Sequence, residues 1–171
     1  MTQQKDTQKT WYAVYTAPRS EKKVQERFQQ SGIQHYLPLR SEIRQWHDRK
    51  KKVVVPVIHG YIFVRIDSKE FSTVLRTSGV VTFLREKGVP VPIPDYQMDR
   101  FRRVVDGNEV SYEFTMETLK EGVPVEIIGG SLAGVQGECV SMDGEMEILL
   151  RIKALGAAII QVPVSLVRKL Q

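Results

Sequence analysis

The sequence predicts an α+β protein in two parts, an antiparallel sheet with flanking helices followed by a small all-β barrel. Three observations predict it. Up to residue 105, β-forming segments alternate with segments of helical period in the order β-α-β-β-α-β-α, as in a split βαβ sandwich. After residue 118, short β-rich segments are separated by turns that contain glycine or acidic residues, the spacing of a small barrel. The charge changes between the two parts: residues 1–105 hold 20 Lys and Arg against 10 Asp and Glu, net +10, whereas 106–171 hold 5 against 10, net −5.

Element by element, WYAVYTA (11–17) is rich in β-formers and ends at Pro18, a strand followed by a break. SEKKVQERFQQSG follows as a helix, with Ser20 as its N-cap, Val24 and Phe28 four apart on one face, and Gly32 as its stop. HYLPL (35–39) is a short strand, and SEIRQWHDRKK after it is a polar excursion or hairpin arm. VVVPV and YIFVRI form two more strands, with Pro56 confining the first to an edge or a bulge. From Ser68 a second helix carries Phe71, Val74 and Leu75 on one stripe and closes at Gly79. VVTFLR is a strand, EKG a turn and VPVPI a short extended piece, after which Asp95 caps a third helix bearing Met98, Phe101 and Val105. DGNEVSYEFTMET (106–118) is acidic and mostly polar and reads as a linker. VPVEIIGG, GECVSM, EMEILLRI, AAIIQVPV and SLVRKL are the barrel strands, although EMEILLRIKALGAAI also fits a helix. The domain limits expected are therefore 10–105, 106–118 for the linker, and 119–171.

Composition excludes several classes. A chain of 171 residues with 42% hydrophobic content buries a core and is not a disordered polymer. No apolar run is long enough to cross a bilayer, and MTQQKDTQKT lacks the apolar core of a secretory signal, so a cytoplasmic place is expected. Cys139 has no second cysteine to pair with, and His35, His47 and His59 are scattered, so neither a disulfide nor a metal site is expected. His47-Asp48 has no nucleophile beside it in sequence. GGSLAGVQG lacks the Lys-Ser/Thr of a phosphate-binding loop and leads into a strand. No enzymatic activity and no cofactor are expected. The basic first part suits a polyanion, and charge alone suits a solvated surface equally well.

WYAVYTAPRSEKKVQERF, YLPL followed by a basic excursion, HGYIFVRI and RTSGVVTFLR together resemble the N-terminal domain of the NusG family of transcription elongation factors. GVPVEIIGGSLAGVQGECVSMDGE resembles that family's KOW motif. WYAVYTAPRSEKKV with RQWHDRKKKVVVPVIHGYIFVRI is most similar to specialised paralogues of the UpxY and RfaH type, antiterminators for long operons that often encode surface polysaccharide synthesis.

The resemblance implies a monomer that seats an apolar patch of its N-terminal domain on the clamp helices of RNA polymerase. By position the patch is Tyr15, Ile58, Tyr61, Phe63, Met98 and Phe101. Alternation along YIFVRI by itself assigns Phe63 to an ordinary core, and a spacing of three gives Met98 and Phe101 the same alternative. Ser72 and Thr73, with Glu70, stand where specialised paralogues touch the polymerase gate loop, but they depart from the His-Thr-Thr pattern of RfaH. Nucleic-acid contacts, the non-template DNA strand above all, fall by position to Arg19, Lys22 and Lys23 at the start of the first helix, to the arm residues Arg49, Lys50, Lys51 and Lys52, and to Arg76. Arg76 sits late in its helix, where the macrodipole favours a cation, and the arm run also reads as a solvated loop. The KOW part implies NusE or Rho as a partner. A ribosomal or general RNA-binding KOW protein is the rival reading.

Overall fold

The structure, a computed structural model, describes residues 8–141 and 145–171. By contacts the chain divides into a first unit ending at Pro94 and a second beginning at Asp95.

The first unit begins with β1 (Thr10–Thr16) and α1 (Glu21–Gln30), followed by β2 (His35–Tyr36), β3 (Leu39–Gln45), β4 (Lys50–Pro56) and β5 (Tyr61–Ile66). It is completed by α2 (Phe71–Arg76), β6 (Val80–Phe83), β7 (Arg85–Glu86) and β8 (Val89–Pro90). Its main sheet is antiparallel, in the order β2-β5-β1-β6. Val14 pairs with Ile62 and Tyr12 with Val64 across β1 and β5. Val14, Ile62 and Val64 pack with Val24 and Phe28 of α1, Val74 of α2 and Phe83 into one buried cluster. Tyr12 closes it with T-shaped contacts to Phe71 and Phe83, centroids 5.0 and 5.9 Å apart, and Phe71 and Phe83 meet tilted at 4.9 Å. Trp11, Ala13 and Phe63, at the alternate positions, are buried as well.

α1 ends as its sequence dictates. Gly32 takes φ +70°, Gly32 N–H donates to Gln29 O at 3.3 Å, and Ile33 N–H donates to Phe28 O at 2.9 Å. This left-handed cap satisfies carbonyls that would otherwise be orphaned, and it delivers Ile33 to the core beside Phe28. At the start of α1 the structure departs from expectation. Ser20 is the N-cap residue, but its own backbone is helical and its side chain makes no capping bond. Instead its hydroxyl donates to Pro18 O at 3.4 Å. The α2 stripe is also narrower than expected: Val74 is buried and Phe71 half-buried, whereas Leu75 is 40% exposed, because a helix of six residues presents less than two turns. Gly79 (φ +93°) lets the chain pass α1 closely, since a Cβ there would lie 2.8 Å from Val24.

Among the described residues β3 and β4 pair only with each other, from Leu39↔Pro56 to Gln45↔Lys50, and so form a free-standing two-stranded ribbon. Pro56 ends β4 where no further strand needs its missing donor. Lys50, Lys51 and Lys52 belong to the strand, so of the two readings the structure has the hairpin arm and not the loop; Arg49 alone of the run lies in the four-residue turn, closed by Trp46 N–H donating to Arg49 O at 2.8 Å.

The second unit contains α3 (Asp95–Gly107), β9 (Tyr112–Thr115), β10 (Val123–Ile127), β11 (Gln136–Ser141), β12 (Glu145–Ile152), β13 (Gly156–Pro163) and β14 (Val167–Lys169). Its sheet is six-stranded and antiparallel in the order β14-β10-β11-β12-β13-β9. The segment that left helix and strand open, residues 145–159, is strand: it holds β12 and the first half of β13, strands that pair from Glu145↔Pro163 to Ile152↔Gly156. Ile148, Leu150, Ile152, Ala158 and Ile160 are buried.

Two expected boundaries shift. Residues 106–118 are not plain linker, because Tyr112–Thr115 alternates its burial and pairs with β13. The third helix, expected in the first domain, makes its defining contacts in the second unit. Arg103 donates to Ser131 O and Ala133 O at 3.0 and 3.1 Å, Gln97 accepts from Lys153 N–H at 2.8 Å, and Phe101 meets Phe114 edge-on at 5.8 Å. Its apolar stripe, Met98, Phe101, Val104 and Val105, is buried. No helix among the described residues is long and apolar enough to cross a membrane.

One ionic cluster fixes the strap before β10. Arg151 on β12 donates to Glu138 of β11 at 2.6 Å and to Leu119 O and Lys120 O at 3.2 and 2.8 Å, while Gly122 N–H donates to Glu138 at 3.0 Å. Burial pushes the Glu138 carboxyl up, but the Arg151 hydrogen bond, the Gly122 N–H and the Arg151 charge outweigh it and hold the group below its ordinary range. A folded-state pKa below the unfolded one contributes stability that is complete above the unfolded value, about 4.3, and lost as pH falls through the folded one. Glu138→Gln should therefore speed amide exchange in β11 and β12 at pH 6, with the difference from wild type shrinking toward pH 3. A pH-independent difference would show that the carboxylate charge is not what holds the strap.

Candidate nucleic-acid interface

Gly60 organises the exposed side of the first unit. Its carbonyl accepts from Thr16 N–H at 2.8 Å, and its N–H donates at 2.7 Å to the carboxylate of Glu21, which is buried although it opens α1. Gly60 has φ +82°, and a Cβ there would lie 3.2 Å from the Tyr15 ring. Glycine is thus required twice at this turn, by the backbone and by the aromatic neighbour. The turn leads into β5 so that Tyr61 pairs with Tyr15 across the ladder, their rings 5.4 Å apart and tilted by 51°. Burial, and after it the neighbouring Tyr15, raises the Tyr61 hydroxyl above its ordinary pKa, so Tyr61 stays neutral at physiological pH.

Beside this turn runs an open groove of about 670 Å³ lined by Tyr15, Arg19, Lys22, Arg44 and His59, with Val54, Val55 and Pro56 of the ribbon at its side. Arg19 is exposed and takes φ +58°, a left-handed conformation that non-glycine residues seldom adopt. Lys22 spends its ammonium on the ribbon, donating to Val54 O at 2.6 Å. Lys23 is exposed on α1. The ribbon itself carries Arg44, Arg49, Lys50, Lys51 and Lys52, all exposed, with Lys51 6.0 Å above the ring of Trp46. Glu42 bridges Arg40 and Arg44 at 3.0 and 3.5 Å. The result is a cationic surface with interleaved exposed side chains at Trp46 and Ile43, a composition that suits phosphates with stacking or apolar contacts between them.

The structure therefore brings Tyr15, Tyr61, Arg19 and Lys22 together with the base of the ribbon. It does not bring Arg76 there: Arg76 lines a separate shallow depression with Arg27, Gln30 and Thr73, and Ser72 and Thr73 are exposed on α2. Glu70, beside them, is engaged with Lys9 and with the Asp67 N–H. Of the six residues expected as an exposed patch, Tyr15 is 40% exposed and Tyr61 half-buried; Ile58, Phe63, Met98 and Phe101 are at most 2% exposed. This corrects the patch, and the cause is alternation: Phe63 stacks on Tyr36 at 6.4 Å, and Met98 and Phe101 point along the buried stripe of α3. Arg44 and Glu21 escaped sequence reasoning. Arg44 lies outside the RKKK run, and Glu21 looked like one more charge at a helix start; only the pairing register and the fold of the His59-Gly60 turn reveal their places.

The family model described as transcription termination factor NusG matches residues 9–102, more than half of the chain. The chain belongs to the NusG family. The match reaches into α3, so that helix belongs to the family segment by sequence and to the second unit by contact. A solved NusG structure from Thermotoga maritima, described for its domain interaction, is 24% identical over 95% of this chain and 98% of its own, with a TM-score of 0.53. That likeness supports the fold: a NusG N-terminal domain followed by a β-rich, KOW-like part. The MjSpt4:Spt5 complex is 17% identical over 94% of this chain and 97% of that one, and its TM-score of 0.32 carries no weight. Among curated protein sequences none matches.

The burial difference across one strand face sets an expected outcome. Phe63→Ala should destabilise this NusG-family chain by about 3–5 kcal/mol in urea melts, the usual cost of emptying a buried phenylalanine site. Tyr61→Ala, half-buried, should cost clearly less. Equal losses would mean that Tyr61 is as much a core residue as Phe63.

Proposed function

We propose that this NusG-family transcription factor acts during elongation, holding RNA polymerase with its first unit while its cationic ribbon and groove hold nucleic acid at the transcription bubble. The observation that carries the reading is the convergence of Arg19, Lys22, Arg44 and the exposed tyrosine Tyr15 on one groove beside a free-standing basic ribbon. Tyr15 and the partly exposed Tyr61 supply aromatic contact area for the polymerase clamp helices, with Ile58 and Phe63 as the buried support beneath them. Arg19, Lys23 and the ribbon cations attract the non-template strand, whose retention favours reannealing upstream and opposes pausing and termination. Ser72 and Thr73, exposed on α2, offer hydroxyls for a gate-loop contact. The similarity to UpxY-type and RfaH-type segments supports service to one long operon, such as one for surface polysaccharide synthesis. The second unit would meet NusE or Rho, and the protein would act as a monomer in the cytoplasm.

A general RNA-binding role, the alternative, rests on the same basic surface. Nuclease-treated pull-down separates the two, because polymerase stays bound after RNA is destroyed only on the first reading.

Replacing Arg49, Lys50, Lys51 and Lys52 together with Gln should weaken binding to a polymerase complex carrying an open bubble and change binding to free polymerase little. The slope of log affinity against log salt should become shallower by about 3, at roughly 0.7 per single-strand phosphate released. Identical slopes for wild type and variant on the bubble complex would remove the ribbon from the mechanism.

A further inference from the structure

Lys50, Lys51 and Lys52 are consecutive residues of β4, so their side chains leave the ribbon on alternate faces. The pairing register sets Lys50 opposite Gln45, Lys51 opposite Arg44 and Lys52 opposite Ile43. One face therefore carries Lys50 and Lys52, and the other carries Lys51 and Arg44. Arg44 and Lys51 are directly opposed like charges, a destabilising pair, and Glu42, which Arg44 meets at 3.5 Å and shares with Arg40, offsets only part of this face's positive charge. A single strand laid on one face would meet only half of these cations and leave the rest to solvent. A groove with a phosphate wall on each side meets both halves.

The dimensions agree with a duplex. Seven paired residues per strand span about 23 Å, and a ribbon with side chains on both faces is about 10 Å thick. The major groove of B-form DNA is about 12 Å wide and about 8.5 Å deep and admits a two-stranded ribbon. The major groove of A-form RNA is too narrow for it. The ribbon pairs with no other strand among the described residues, and its tip presents His47, Asp48 and Arg49, all exposed, beside Trp46 at 55% exposure. At its base it is braced by Lys22 on Val54 O and by Val57 N–H on Pro38 O at 2.8 Å, so it is held in place where it meets the body.

We propose that the β3–β4 ribbon enters the major groove of duplex DNA tip-first, with Lys50 and Lys52 toward one phosphate wall, Arg44 and Lys51 toward the other, and the tip residues toward the base edges. This rests on the reading of the ribbon as a nucleic-acid surface and refines its ligand from a strand to a duplex.

The test uses the full chain and fluorescence anisotropy across a salt series, with a 20-base-pair DNA duplex, one of its strands alone, and the RNA duplex of the same sequence. The DNA duplex should bind tightest. Lys50→Gln with Lys52→Gln, and separately Arg44→Gln with Lys51→Gln, should each make the duplex salt slope shallower by about 2, at roughly 0.9 per phosphate. Duplex in which glucosylated hydroxymethylcytosine fills the major groove should bind at least about tenfold more weakly, a loss of about 1.4 kcal/mol, while a minor-groove dye should not compete. Tighter binding to the single strand or to the RNA duplex would overturn the proposal and leave the broader nucleic-acid reading standing. A slope change from only one of the two pairs would overturn the two-walled placement. Wild-type chain that binds none of the three would sink the proposal and that broader reading together.

Discussion

The N–H of one glycine donating to one buried carboxylate sets the working side of the first unit. Glu21 begins α1 and would ordinarily lie in water, where an acidic residue in the first helical turn gains a few tenths of a kcal/mol from the macrodipole. Here it is buried and accepts from Gly60 N–H, while Gly60 O is held by β1 through Thr16 N–H. The tripod of helix start, turn and strand fixes where β4 stops and β5 begins. Tyr15 and Tyr61 face each other because of it, and Arg19 and Lys22 lie beside the ribbon base because α1 can start nowhere else. A charge-assisted bond to a buried carboxylate is worth more than a neutral one, and removing either partner strands the other.

Much of this was legible in the chain. The helix from Glu21 to Gln30 was written in Val24, Phe28 and Gly32, whose roles depend on local geometry alone. The strand YIFVRI was equally plain, because β-forming residues alternate over its whole length. What failed to show were features set by pairing partners distant in sequence. Tyr112–Thr115 is half-polar and sits in an acidic stretch, so only its ladder with β13 declares it a strand. The stripe on α3 was visible, but a periodic stripe names a face and not the surface that covers it, and contact groups the helix with the second unit.

The site was less legible than the fold for the same reason. A run such as Arg49 to Lys52 reads as solvated because lysine is a poor strand former and a four-charge block repels itself. It becomes strand because its partner, Arg40 to Gln45, pairs with it residue by residue and because Val53 and Val55 carry the ladder toward the base, where the buried Val57 bonds Pro38 O. Four of the six expected patch residues are buried, since position within a family segment says which residues share a neighbourhood and says nothing of which side of a strand they face.

The ribbon's instability is then the more informative property. Opposed cations, lysine-rich strand residues and a second face without a partner strand all work against a hairpin, which in isolation is marginal even with good residues. The ribbon is anchored at its base, by Lys22 on Val54 O and by Val57 N–H on Pro38 O. A segment selected for stability would not carry Ile43 at 74% exposure and Trp46 at 55% beside a cationic run. A polyanion that neutralises both faces, with apolar contacts covering the tip, would offset that cost. The protruding, cation-rich half of the ribbon is thus the part of the first unit that would gain most from the nucleic-acid ligand proposed for it.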